Sequence, residues 1–245
     1  MTADPCPQPA GLDELEVRLA GLGLLTGGVT VRQAALPPPL RALHRRLLGA
    51  FLAEAGPPDL AVVARLAAEL ELDPQAALAA LAAADVVHAD PASGRIRVAY
   101  PFSGRPTPHR VELAAGPSVQ AMCALDALGI PQMTRRGGRI RSTDPTTGQD
   151  ITVEVGDGAW RWQPATTVVL VGAAADQDAC GAVADGCCPS TNFHADPQAA
   201  DAYRRAHPGM GTELLDQAEA VEAARRSFGG LLGPDPTTTS PLPSS

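Results

Sequence analysis

"GRIRSTDPTTGQDITVEV", residues 138–155, decides the fold class. Apolar residues alternate with polar ones on both arms, Ile140 on one and Ile151, Val153 and Val155 on the other. The Asp-Pro-Thr-Thr-Gly turn lies between the arms. A period of two turns one face to a core and the other to water, which is the pattern of an antiparallel hairpin. Working outward, "HRVELAA" (109–115) reads as a strand and "VQAMCALDALGIP" (119–131) as a helix that stops at Gly129 and Pro131. "TTVVLVG" (166–172) reads as a buried strand, and "DGCCPSTNFHA" (185–195) as a loop entering a short strand. "DPQAADAYRRAHPG" (196–209) and "GTELLDQAEAVEAARRSFGGLL" (211–232) read as two closing helices.

The N-terminal half has another texture. Residues 12–25, 37–56, 57–72 and 73–87 carry helical periodicity; Asp13 and Glu16 have capping-box spacing, and Asp73 precedes Pro74 as an N-cap. "VVHADPASGRIRVAY" (86–100) then reads as two short strands around a turn. The expected class is α+β: a helical, winged-helix-like domain followed by an α+β catalytic domain with antiparallel strands. The expected boundaries are a flexible start at 1–10, the winged-helix-like domain at 11–105, the catalytic domain at 106–232 and a disordered tail at 233–245.

A winged helix raises the question of DNA. Residues 74–84 offer only Gln75 to base edges, and the basic cluster Arg41, His44, Arg45 and Arg46 sits on an earlier helix, where it reads as a solvated face. The chain carries a net charge of −8. A phosphate-gripping protein normally shows the opposite sign, so DNA binding is not expected, and the region reads as a packing or lid module. No apolar run approaches the roughly 18 residues of a membrane span, and the first residues lack the pattern of a secretory signal. No membrane association and a cytoplasmic location are expected. There the five cysteines would stay reduced and serve as ligands, nucleophiles or core fillers.

Chemistry concentrates in "MCALDALGIP", residues 122–131. Cys123 and Asp126 are three apart, so a helix brings them to one face. A helix N-terminus favours thiolate at Cys123, and a neighbouring carboxylate opposes it unless it takes the thiol's proton. A second cysteine site follows at Cys187-Cys188, with His194 soon after. Two thiols from separate elements and one carboxylate would suit a soft metal. The bland alternatives are a small buried core cysteine with an aspartate at a wet edge and, for the histidines His88, His109 and His194, structural roles. The adjacent cysteines do not fit the Cys-x2–4-Cys pattern of zinc sites. Cys180 is weak evidence for any role, and Cys6 is given none.

"MCALDALGIP", "GRIRSTDPTTGQDITVEV" and "DGCCPSTNFHA", in this order and at these intervals, resemble the organomercurial (alkylmercury) lyases, most strongly over about residues 119–195. The resemblance implies protonolysis of a carbon–mercury bond, giving a hydrocarbon and Hg(II). By position it implies Cys123 and Cys187 as the two catalytic, mercury-holding cysteines and Asp126 as the proton carrier beside the transient metal. It implies no organic cofactor, a small organomercurial as substrate, and cellular thiols or a mercuric reductase as acceptor of the product. Cys188 and Cys180 are secondary, and His194 stands where a second aromatic residue is common in that family. Met122 stands where an aromatic residue is common in that family. The alternative reading is a thiol- or metal-sensing winged-helix transcriptional regulator without lyase activity. That reading lacks a visible basic recognition surface and has no need of Asp126.

Overall fold

The computed structural model describes residues 13–20, 22, 28–174 and 188–233. The expected flexible start, nearly all of the expected tail, and Cys6, Cys180 and Cys187 lie outside the described residues. The fold is α+β, as expected, and every strand pairing among the described residues is antiparallel.

Five helices come first: α1 (Glu14–Ala20), α2 (Gly28–Ala35), α3 (Pro38–Glu54), α4 (Leu60–Ala68) and α5 (Pro74–Ala83). Asp59 and Asp73 cap α4 and α5, accepting from the backbone N–H of Val62 and Ala76. The Asp13–Glu16 pair closes reciprocally at the start of α1. A three-stranded sheet follows, β1 (Val87–Ala89), β2 (Ile96–Ala99) and β3 (Phe102–Ser103). Next come β4 (Arg110–Leu113), β5 (Ser118–Gln120), α6 (Ala124–Thr134), β6 (Gly138–Thr143), β7 (Asp150–Gly156) and β8 (Ala159–Gln163). The five strands form one sheet in the order β5-β4-β6-β7-β8. The third sheet, β10-β9-β11, is built from β9 (Val168–Ala174), β10 (Asn192–His194) and β11 (Met210–Leu215). The helices α7 (Pro197–Ala206) and α8 (Gln217–Phe228) are the last two among the described residues.

The hairpin of residues 138–155 is β6–β7, with Ile140 opposite Val153 and Ser142 opposite Ile151, all four buried. Elsewhere tertiary structure overrides local signals. Helix α6 does not stop at Gly129 and Pro131; it runs through both to Thr134. Proline there removes only the N–H that would have reached Ala127, and the side chains of Gln132 and Thr134 donate back to the carbonyls of Leu128 and Ile130. Gly129 is a contact point: a Cβ would lie 2.3 Å from the Phe228 ring, so only glycine lets α8 pack this closely. The segment "GTELL" is strand, not helix. It lies in β11 and pairs along β9, whose buried Val169 and Leu170 need a covered edge; α8 begins only after the Asp216 cap.

The basic cluster on α3 is not a solvated face either. Arg41 and His44 are buried, because the unexpected α2 packs over them. Gln33 of α2 meets His44 Nδ1 at 2.9 Å, and Arg41 donates to the Ala34 carbonyl. One continuous core runs from Val29 through Leu43, Phe51, Phe102 and Ile130 to Phe228 and Leu231. It ties the helical half to the sheets. Phe51 stacks on Phe102 with ring centroids 5.4 Å apart.

Candidate active site

Three elements converge. Cys123 is the residue before α6, in extended conformation, and its carbonyl accepts from the N–H of Ala127. Asp126 lies in the first turn of α6. Cys188 opens a 3-10 turn (Cys188–Ser190) that leads into β10. Thr191 fastens this turn to the helix start: its carbonyl accepts from Ala124 N, and its N–H donates to the Cys188 carbonyl. The two sulphur atoms and a carboxylate oxygen of Asp126 lie within 4.8 Å of one another. The Cys123 thiol donates to Asp126 Oδ2 at 2.7 Å, and the Cys188 thiol donates to the same oxygen at 3.8 Å. All three side chains are buried, none above 4% exposed.

Burial decides the electrostatics. Desolvation pushes Asp126 up to about 7, although both thiols and the charge of Arg32 pull the other way. Desolvation also raises Cys123 well above the usual thiol range, with help from Cys188 and the Asp126 charge. The helix N-terminus, expected to favour thiolate, loses. Its effect is about 0.3–1 kcal/mol, whereas full burial moves a group by up to 3–5 pKa units at about 1.4 kcal/mol each. Cys123 is therefore a neutral thiol beside a carboxyl that can hold or release a proton near neutrality. The donor set is soft, which suits a thiophilic metal and not a hard cation.

A cavity of about 330 Å³ reaches this cluster from outside, with Met122, Cys188, Pro189, Asn192, His109 and Arg97 in its wall. Burial holds His109 down to about 4, so it is a neutral hydrogen-bonding wall residue, against Ser142 Oγ at 2.9 Å.

Of the residues singled out in the sequence, Cys123 and Asp126 are brought together. Cys187 lies outside the described residues, and its neighbour Cys188 supplies the second described sulphur. His194 belongs elsewhere: it is fully buried near Asp144, at 3.5 Å. His88 pairs with Asp85 at 2.6 Å. Sequence reasoning missed Arg32, whose charge reaches Asp126 from α2. No local signal in "GVTVRQAA" marks it.

Residues 102–229, just over half of the chain, match the alkylmercury lyase family. The alkylmercury lyase of Pseudomonas putida is 32% identical over 107 residues, covering 43% of this chain and 49% of that protein. The alkylmercury lyase of Bacillus cereus is 31% identical over 121 residues, 49% of this chain and 53% of that protein. The match thus spans about half the length of these curated relatives. The crystal structure of the mercury-bound form of MerB2 shares the fold, with a TM-score of 0.67 over 89% of this chain and 98% of that one, at 19% identity. With the family match covering the elements that carry Cys123, Asp126 and Cys188, this chain belongs to the alkylmercury lyase family.

Proposed function

We propose that this protein is an organomercurial lyase, which cleaves a carbon–mercury bond by protonolysis. The observation that carries the reading is the buried Cys123–Asp126–Cys188 cluster within 4.8 Å. Thiolates are the ligands mercury prefers, and two of them load electron density onto the metal. As an R–Hg⁺ unit binds the first sulphur, its thiol proton passes to Asp126 Oδ2. The second thiol loses its proton to solvent or to the departing ligand of mercury. The carboxylic acid then faces the metal-bound carbon. The carbon–mercury bonding pair takes the Oδ2 proton, R–H leaves, Asp126 is again a carboxylate, and Hg(II) remains on two sulphurs. Near-neutral titration of Asp126 suits it to both halves of this exchange.

The proton delivered to carbon is the one Asp126 took from the first thiol, so the proposal includes no organic cofactor. Mercury is substrate and then product. Cellular thiols or a mercuric reductase would take it in the cytoplasm, where thiols stay reduced. Arg41 and His44 are buried, which supports a reading in which the helical half packs and shapes the enzyme and reads no DNA. Within the adjacent pair, sequence position favours Cys187 as the second ligand, and geometry among the described residues favours Cys188.

The test is incubation with phenylmercury and excess thiol. Benzene is the expected product, and its absence would sink the reading. Cys123→Ser should remove turnover, because a hydroxyl is a hard, weakly acidic ligand. Comparing Cys187→Ser with Cys188→Ser assigns the second ligand: the inactive variant marks it.

A further inference from the structure

Tyr100 is 1% exposed, and its hydroxyl has no hydrogen-bond partner among the described residues. Buried polar groups almost always find one, so an orphan calls for an explanation. A second orphan lies in the active site: Asp126 Oδ2 takes both thiols, whereas Oδ1, equally buried, takes no donor among the described residues. The two belong to one neighbourhood. The Pro101 carbonyl, next along from Tyr100, accepts from the N–H of Met122, the residue before Cys123. Burial pushes the Tyr100 phenol far above its ordinary value; Cys188, Asp85 and Asp126 push it further, and Arg32 opposes them. The phenol is thus neutral, a donor that keeps its proton, in the electrostatic reach of the cluster.

The ring is held from two sides. The Arg32 guanidinium lies 5.8 Å from the ring centroid, and His88 meets the ring edge-on at 6.2 Å. Both holders converge on Asp85: Arg32 Nη2 at 3.7 Å and His88 Nε2 at 2.6 Å. Arg32, Asp85, His88 and Tyr100 all precede the family match, which begins at residue 102.

We propose that Tyr100 is a positioning residue for the lyase reaction, held by Arg32 and His88 so that its hydroxyl donates to Asp126 Oδ1 once substrate enters the site. This rests on the lyase reading above. The bond divides the carboxyl's work. Oδ1 becomes the anchored oxygen, and Oδ2 the one that takes the thiol proton and delivers it to carbon. Tyr100 keeps its own proton throughout, and no bond to it is made or broken. The N-terminal helical half thereby acquires a part in the chemistry through α2 and the residues around β1.

An orphan hydroxyl gives the test an unusual sign. Tyr100→Phe removes a buried group with no partner among the described residues, so the melting temperature should hold or rise. Single-turnover benzene release from phenylmercury should nevertheless fall about tenfold, the worth of one hydrogen bond. Mercurial affinity should be unchanged. Arg32→Lys, which keeps the charge that reaches Asp126 and keeps the hydroxyl but loosens the ring, should slow release by a smaller factor. Release by both variants within twofold of the unsubstituted protein overturns the inference and leaves the lyase reading intact. A rate loss in Tyr100→Phe that comes with a lower melting temperature also overturns it, making Tyr100 structural. No benzene from the unsubstituted protein overturns the lyase reading and this inference with it.

Discussion

Asp126 and Asp144 are both carboxyls sealed from water, at 2% and 0% exposure, and their surroundings treat them in opposite ways. Burial pushes Asp144 up, but the backbone N–H groups of Ala195, Thr146 and Thr147 outweigh it and leave it below its ordinary value. Those bonds tie the β6–β7 turn to the end of β10. Among the described residues Asp126 takes no donor from another residue's backbone, and its own N–H is the least of the groups that pull it down. Its Oδ2 faces two thiols and its Oδ1 faces none of the described donors, so desolvation wins and it rises to about 7. A carboxylate saturated with fixed donors is a structural pin. A carboxyl left short of donors beside two thiols is ready to exchange a proton.

The sharpest way to break this contrast is to replace both carboxyls and compare rates. Asp126→Asn keeps the shape and both sulphurs, so it should still bind an organomercurial. It cannot accept and return a proton, so single-turnover hydrocarbon release should fall by roughly 10²–10⁴-fold. Asp144→Asn should change release by no more than a few-fold when assayed well below its melting temperature. Equal losses in the two variants would mean that Asp126 acts only by holding the fold.

The second comparison is of stability. Asp144→Asn weakens three charge-assisted bonds to N–H groups that remain buried, and it should cost about 2–4 kcal/mol by denaturant titration. An effect below about 1 kcal/mol would show that the pin is not holding the turn to β10.

How much of this contrast could be read from the chain? The Cys123–Asp126 pair was legible, because i and i+3 on a helix share a face whatever the rest of the fold does. The β6–β7 hairpin was legible for a similar reason, since its alternation is local. Asp144 looked like an ordinary turn residue in "DPTTG"; its reach to Ala195 N spans 51 positions and leaves no local mark. Helix α2 escaped notice because "GVTVRQAA" buries only Val29 and Gln33. The "GTELL" strand was hidden by the strong helix after it, although the Asp216 and Glu219 capping box already marked where that helix starts. Which cysteine of an adjacent pair faces a site depends on the twist of one turn, and pattern alone does not set that.

The smallest expected effect concerns pH, and the two carboxyls should differ in sign. Asp126 titrates at about 7 in the folded protein and near 3.9 when unfolded. Between those values the folded state holds more protons than the unfolded state, so this group makes stability fall as pH rises through the window and level off above it. For Asp144, whose folded value is depressed, the contribution is present above the unfolded value and is lost as pH falls through the folded one. Asparagine at 126 removes the penalty of ionising a sealed carboxyl, yet its amide must itself be buried beside two thiols, which offsets part of the gain. Asp126→Asn should therefore melt close to the unsubstituted protein at pH 4 and be about 1–2 kcal/mol more stable at pH 8, or about 2–4 °C per kcal/mol for a chain of this size. The Asp144→Asn deficit should instead be greatest at pH 8 and shrink in acid. Melting curves of the three proteins across this range decide it: a lower melting temperature for Asp126→Asn at pH 8 would mean that the Asp126 charge is well compensated and that its proton is not loosely held.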